Sequence, residues 1–140
     1  VSYVPENHEI MVKKRAEKVR RIENFIPKLK VEGEEDADLL VIGWGSTYGH
    51  LRTAVKKLQS EGKSISMVHF NYLNPLPKNT KEVLSGFKKI VICELNMGQM
   101  ANYLRMNFQE FTYRQYNKIQ GLPFTVVELE NEFNKILEEK

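Results

Sequence analysis

Three short apolar runs, Leu39 to Trp44, Ile65 to Phe70 and Lys89 to Glu94, constrain the fold more than any other feature of the chain. Each is rich in Leu, Ile, Val, Met and Phe and lacks the strict apolar–polar alternation of a half-buried strand. Strands buried on both faces have this pattern, and they occur in parallel sheets covered by helices. Parallel neighbours also need a crossover of a dozen or more residues, usually a helix. The sequence between the runs supplies one: His50 to Gln59 puts Leu51, Ala54, Val55 and Leu58 on one helical face, with Gly62 placed to end it. The rhythm predicts an α/β chain folded as a three-layer α/β/α sandwich around a largely parallel sheet.

The remaining segments fit that frame. Asn74-Pro75-Leu76-Pro77 forces a loop before a short helix over 81–85, and Gln99 to Phe108 reads as a helix with Leu104 and Phe108 on its apolar side. Residues 112–119 suit an edge strand broken by Gly121-Leu122-Pro123. Thr125 and Glu128 form a T-x-x-E capping box ahead of Leu129, Phe133, Ile136 and Leu137, which share a helical face. Upstream, Val12, Ala16, Val19, Ile22 and Ile26 predict an amphipathic helix from His8 to Ile26, ended by Pro27. A short strand is expected at Leu29 to Glu32. Residues 1–35 therefore read as a connector helix and lead-in, and 36–140 as the globular domain.

Composition limits the function. With 140 residues, 41% of them hydrophobic, the chain can bury roughly two-thirds of its unfolded surface and sustain one core. A formal charge of +3 is too small to imply a polyanionic partner. The basic cluster Lys13, Lys14, Arg15, Lys18, Arg20 and Arg21 lacks the aromatic or Gly-rich pattern of a nucleic-acid surface, so neither nucleic acid nor membrane is expected as a partner. The single cysteine, Cys93, excludes an intrachain disulfide and suits a reduced, cytoplasmic setting. The chain begins with Val1, and it is expected to be a piece of a longer polypeptide.

Gly43, Gly45 and Gly49 follow the first strand with the spacing G-x-G-x-x-x-G, one residue longer than the dinucleotide fingerprint. An acidic residue at the end of the second strand, needed to hold a ribose, is replaced by His69-Phe70-Asn71. No G-K-[ST] of a P-loop is present. The turn therefore reads as a tight corner in which Ser46 or Thr47 caps the next helix. The loop after the third strand, Glu94-Leu95-Asn96-Met97-Gly98-Gln99, emerges on the same edge of the sheet. If the first and third strands are neighbours, Gly45, Ser46 and Thr47 face Glu94, Asn96, Gly98 and Gln99 across a polar crevice. No nucleophile, general base or metal-ligand set accompanies it, and His8, His50 and His69 are widely scattered. The competing reading is a stand-alone module that binds a nucleotide or CoA at the Gly43 to Gly49 turn.

Four stretches, Leu39 to Gly49, Asn74 to Pro77, Glu94 to Met100 and Lys118 to Phe124, resemble in order the C-terminal part of the alpha subunit of 2-oxoacid:ferredoxin oxidoreductases, most closely the 2-oxoglutarate branch. The resemblance runs from about His8 to near the C-terminus. It implies a transketolase C-terminal-like domain whose five-stranded sheet has its first strand antiparallel to the rest. It also implies a complex that decarboxylates a 2-oxoacid on thiamine diphosphate with Mg²⁺, passes electrons through iron–sulfur clusters to ferredoxin and forms an acyl-CoA. The upstream domain that helps hold the thiamine, and the beta subunit that holds its diphosphate and metal, are other parts of that complex. One cysteine cannot ligate a four-cysteine cluster. This fragment is thus expected to bind none of these cofactors and to serve assembly, with Gly45, Ser46, Thr47, Glu94, Asn96, Gly98 and Gln99 as interface.

Overall fold

The computed structural model describes residues 3–139. Strands β1 (Leu39–Trp44), β2 (Ile65–Phe70), β3 (Lys89–Glu94) and β4 (Tyr113–Asn117) form one sheet in the order β2-β1-β3-β4, with every pair parallel. The first three occupy the ranges that the apolar runs predict. Successive residues point to opposite faces, and both faces are covered. Leu40, Ile42, Val68, Phe70, Ile90 and Ile92 pack with α3 (Thr80–Ser85) and α4 (Gln99–Asn107) through Leu84, Met100, Ala101 and Leu104. On the other face Leu39, Val41, Met67, Val91 and Cys93 meet α2 (Tyr48–Ser60) and α5 (Val126–Glu138) through Leu51, Val55, Leu129 and Phe133. The three-layer α/β/α sandwich follows directly from strands with no polar face to show water.

The sheet has four strands, not five. The short strand expected at Leu29 to Glu32 is reduced to a single antiparallel bridge, in which Glu32 and Met67 exchange backbone hydrogen bonds of 2.8 and 3.2 Å. Side chains divert the segment on either side of that pair. The Asn79 amide accepts from Leu29 N at 2.8 Å and donates to Leu29 O at 3.0 Å, while the Ser66 hydroxyl donates to Glu34 O at 2.7 Å. Backbone groups satisfied by side chains are not available to a ladder.

The N-terminal helix α1 (Pro5–Arg21) begins before the expected His8, because Pro5 sits in its first turn, where its missing N–H costs nothing. A 3₁₀ turn, Ile22–Asn24, ends it ahead of Pro27. None of its residues is buried.

Candidate functional site

The crossover from β1 to β2 lies on one side of β1 and β3 on the other, so the chain reverses direction across the sheet between β1 and β3. In an open parallel sheet the carboxyl ends of such a pair flank the natural binding crevice. Here the crevice is bridged from within. Glu94, at the end of β3, has no exposed surface. Its Oε1 accepts from Trp44 Nε1, at the end of β1, at 3.1 Å and from Met100 N at 2.7 Å; its Oε2 accepts from Ala101 N at 3.0 Å. Met100 and Ala101 lie in the first turn of α4, where a bound anion would meet the unpaired N–H groups and the positive end of the helix dipole. The Glu94 carboxylate fills that position with the protein's own charge.

The loop that follows is held open and rigid. Asn96 Oδ1 accepts from Gly98 N at 2.8 Å and from Gln99 N at 3.0 Å, an Asx turn that starts α4. Gly98 has φ +98°, and a Cβ there would stand 2.1 Å from Gln115 Nε2 of β4. The positive φ favours glycine, and a Cβ would also require the exposed Gln115 side chain to move aside. Between these fixed points the Met97 side chain is 79% exposed. Alongside, Trp44, Leu73, Gln99, Met100 and Tyr103 line an apolar hollow of about 300 Å³.

At the β1 turn, Gly45 takes φ +62° with open space around it, and Ser46 is exposed. Thr47 is buried, and its hydroxyl donates to Trp44 O at 2.9 Å. Thr47 takes the N-cap position of α2, as expected of one of the two hydroxyl residues, but makes no side-chain cap: residues 45–47 form a 3₁₀ turn, and the Thr47 hydroxyl faces a carbonyl rather than the N–H groups of the helix. Next to Gly45 a cleft of about 410 Å³ opens between Lys28, Lys30, Tyr48, His69 and Tyr72. Glu32 bounds it, accepting from Tyr48 Oη at 2.8 Å and Arg52 Nε at 2.9 Å. Burial works to raise the Glu32 carboxyl, but these hydrogen bonds hold it below the usual carboxylate range. His69 packs edge-on against Tyr48 with ring centroids 5.0 Å apart, and burial pushes its imidazole below the ordinary histidine value.

The strands whose pairing the expected crevice required, β1 and β3, are neighbours, and its seven residues divide. Gly45, Ser46 and Gln99 are exposed and Asn96 is half-buried, whereas Thr47, Glu94 and Gly98 are buried and act by holding the shape. Sequence reasoning missed Trp44 and Met97. The lone tryptophan at the end of an apolar strand was the available signal for the first; a long apolar side chain between Asn96 and Gly98, two residues of a polar turn, was the signal for the second. The buried Cys93 thiol is pushed far above its ordinary value by desolvation, which makes it inert. Among the described residues no group of three or more His, Cys, Asp or Glu is placed to hold a metal ion, and no helix is long and apolar enough to cross a membrane.

A family model described as pyruvate:ferredoxin oxidoreductase core domain II matches residues 37–131. The chain is 38% identical over 130 residues to the 2-oxoglutarate oxidoreductase subunit KorA of Mycobacterium tuberculosis, covering 92% of this chain and 19% of that protein. It superposes on 2-oxoglutarate:ferredoxin oxidoreductase from Magnetococcus marinus, solved with 2-oxoglutarate, coenzyme A and succinyl-CoA bound, with a TM-score of 0.90 and 31% identity over 98% of this chain and 24% of that one. A split-gene transketolase shares the fold, with a TM-score of 0.59 at 15% identity over 77% of this chain and 41% of that one. The chain spans about a fifth of the length of the curated relatives it matches. With residues 37–131, more than half of the chain, inside the family match, the chain belongs to the pyruvate:ferredoxin oxidoreductase core domain II family.

Proposed function

We propose that the chain is the C-terminal assembly domain of the alpha subunit of a thiamine-diphosphate-dependent 2-oxoacid:ferredoxin oxidoreductase, of the 2-oxoglutarate type, and that it performs no chemistry alone. Residues 1–35 serve as connector and lead-in, and 36–140 as the domain. The observation that carries the reading is the Glu94 bridge. It fills the anion position at the start of α4, while the loops around it present Met97, Gln99, Gly45 and Ser46 outward. An edge that is preorganised and lacks a reactive group suits contact with another domain or subunit.

The residues present do not fit an iron–sulfur cluster, since Cys93 is one thiol and wholly buried, nor do the described residues gather a set of carboxylates for Mg²⁺. In this reading thiamine diphosphate, Mg²⁺, the clusters and CoA belong to the rest of the complex. Its partners are the beta subunit that binds thiamine diphosphate, the remaining oxidoreductase subunits and ferredoxin. The complex works in the cytoplasm. The 2-oxoglutarate assignment is supported by the relatives from Mycobacterium tuberculosis and Magnetococcus marinus.

The test is to produce the full polypeptide with its beta subunit and measure CoA-dependent reduction of ferredoxin with 2-oxoglutarate and with pyruvate. Reduction with 2-oxoglutarate supports the reading, preference for pyruvate corrects the oxoacid, and none with either overturns it. A second reading, a module that binds a nucleotide or CoA beside Gly45, is favoured by the open cleft and its Lys28 and Lys30. CoA at a hundred times its Kd would stabilise this chain by about 2.7 kcal/mol; no shift in Tm at millimolar CoA ends that reading.

A further inference from the structure

Helix α1 is out of keeping with the rest of the molecule. It has 17 residues and buries none, whereas each of α2 to α5 buries two or more. Its polar side is satisfied along the helix itself, where Glu9 pairs with Lys13 and Glu17 with Arg20 and Arg21. On the other side Val12, Val19 and Ile22 form a stripe and remain 47%, 38% and 45% exposed. That stripe does not close onto the domain. An open hollow of about 400 Å³ separates Arg15, Ala16, Val19 and Arg20 from Asn74 and Pro75. A helix of this length gains little from propensity alone, and most helical stability in proteins comes from packing an apolar face.

We propose that the groove between α1 and the Asn74–Pro75 turn is a docking seam, filled by apolar side chains of the remainder of a longer polypeptide to which this chain belongs. The inference rests on the assembly reading and extends it to a second surface. The occupant is argued from length and from superposition. Curated relatives are about five times as long as the stretch they share with this chain. The Magnetococcus marinus chain superposes over 98% of this one, so α1 is included in the match, while only 24% of that chain is accounted for. Arg15 beside the hollow favours an occupant whose apolar residues are bordered by a carboxylate, since Arg20 is already paired with Glu17.

The experiment compares hydrogen exchange of the α1 amides in this 140-residue chain and in the full polypeptide, each with and without the Val12→Glu and Val19→Glu pair. Exchange in α1 is expected to be at least tenfold slower in the full polypeptide than in this chain. The double substitution is expected to abolish that protection while leaving the Tm of the short chain within about 1 °C, because surface changes of this kind rarely move stability. Equal exchange in the two proteins overturns the proposal. So does a gene that encodes no further domain. Concentration-dependent dimerisation of the short chain, lost in the double variant, overturns it in favour of a second copy. Absence of ferredoxin reduction alongside retained α1 protection refutes the oxidoreductase assignment and leaves the seam standing.

Discussion

A carboxylate with no exposed surface has to find its donors inside the protein, and Glu94 finds three. Glu94→Ala leaves the Trp44 indole N–H and the Met100 and Ala101 N–H groups without a partner. The Met100 and Ala101 groups are buried and each such orphan costs about 1–3 kcal/mol, so urea unfolding should show a loss of about 2–6 kcal/mol; a loss below about 1 kcal/mol would contradict the bridge. Glu94→Gln keeps the shape but turns an amide donor toward groups that already donate, at about 2 kcal/mol. Glu94 has no exposed surface to offer a partner, and its bonds tie the first turn of α4 to the end of β1. Gly98 offers a sharper test because its two constraints separate. Gly98→Ala meets the Gln115 and Asn117 side chains and the positive φ together, and because Gln115 is exposed and free to move, the backbone cost of about 1 kcal/mol should dominate and persist in the Gly98→Ala, Gln115→Ala double variant.

At the scale of elements, the capping box is the clearest case of sequence becoming structure. Thr125 Oγ1 accepts from Glu128 N at 3.2 Å, and Glu128 Oε2 accepts from Thr125 N at 2.7 Å. Thr125→Ala should cost α5 about 1 kcal/mol. Lys118 donates to both Glu128 oxygens, and chiefly through that contact, then through Thr125, holds the Glu128 carboxyl down at about 2. A depressed carboxyl favours the folded state above its unfolded pKa of 4.5 and loses that contribution as pH falls toward 2. The stability difference between the wild type and Glu128→Gln should therefore be full at neutral pH and vanish by about pH 2; a difference independent of pH would contradict the assignment. β1, β2, β3 and the α5 cap were legible because their determinants lie within a few residues of one another. The Leu29 to Glu32 strand was misread because Asn79 and Ser66, partners far along the chain, decide it, while the α2 cap was misread because the nearby Trp44 carbonyl takes the Thr47 hydroxyl. No local pattern links Trp44 to Glu94, fifty positions on.

For the molecule as a whole, the domain has a complete core on both faces of its sheet, and its function is sought at two surfaces left over, the carboxyl edge and α1. The Gly43 to Gly49 motif is the tight corner read from sequence, and across the crevice from it the start of α4 is occupied by the Glu94 carboxyl. Its exposed residues are left for contact. The most direct test is the amount of beta subunit that co-purifies with the full polypeptide carrying Met97→Glu, measured beside the Tm of the short chain with the same change. Met97 is 79% exposed, so the domain itself should lose no more than about 0.5 kcal/mol. If the carboxyl edge is an assembly surface, co-purified beta subunit should fall at least tenfold while the short chain melts as the wild type does. Undiminished co-purification and full ferredoxin reduction with Met97→Glu would contradict it.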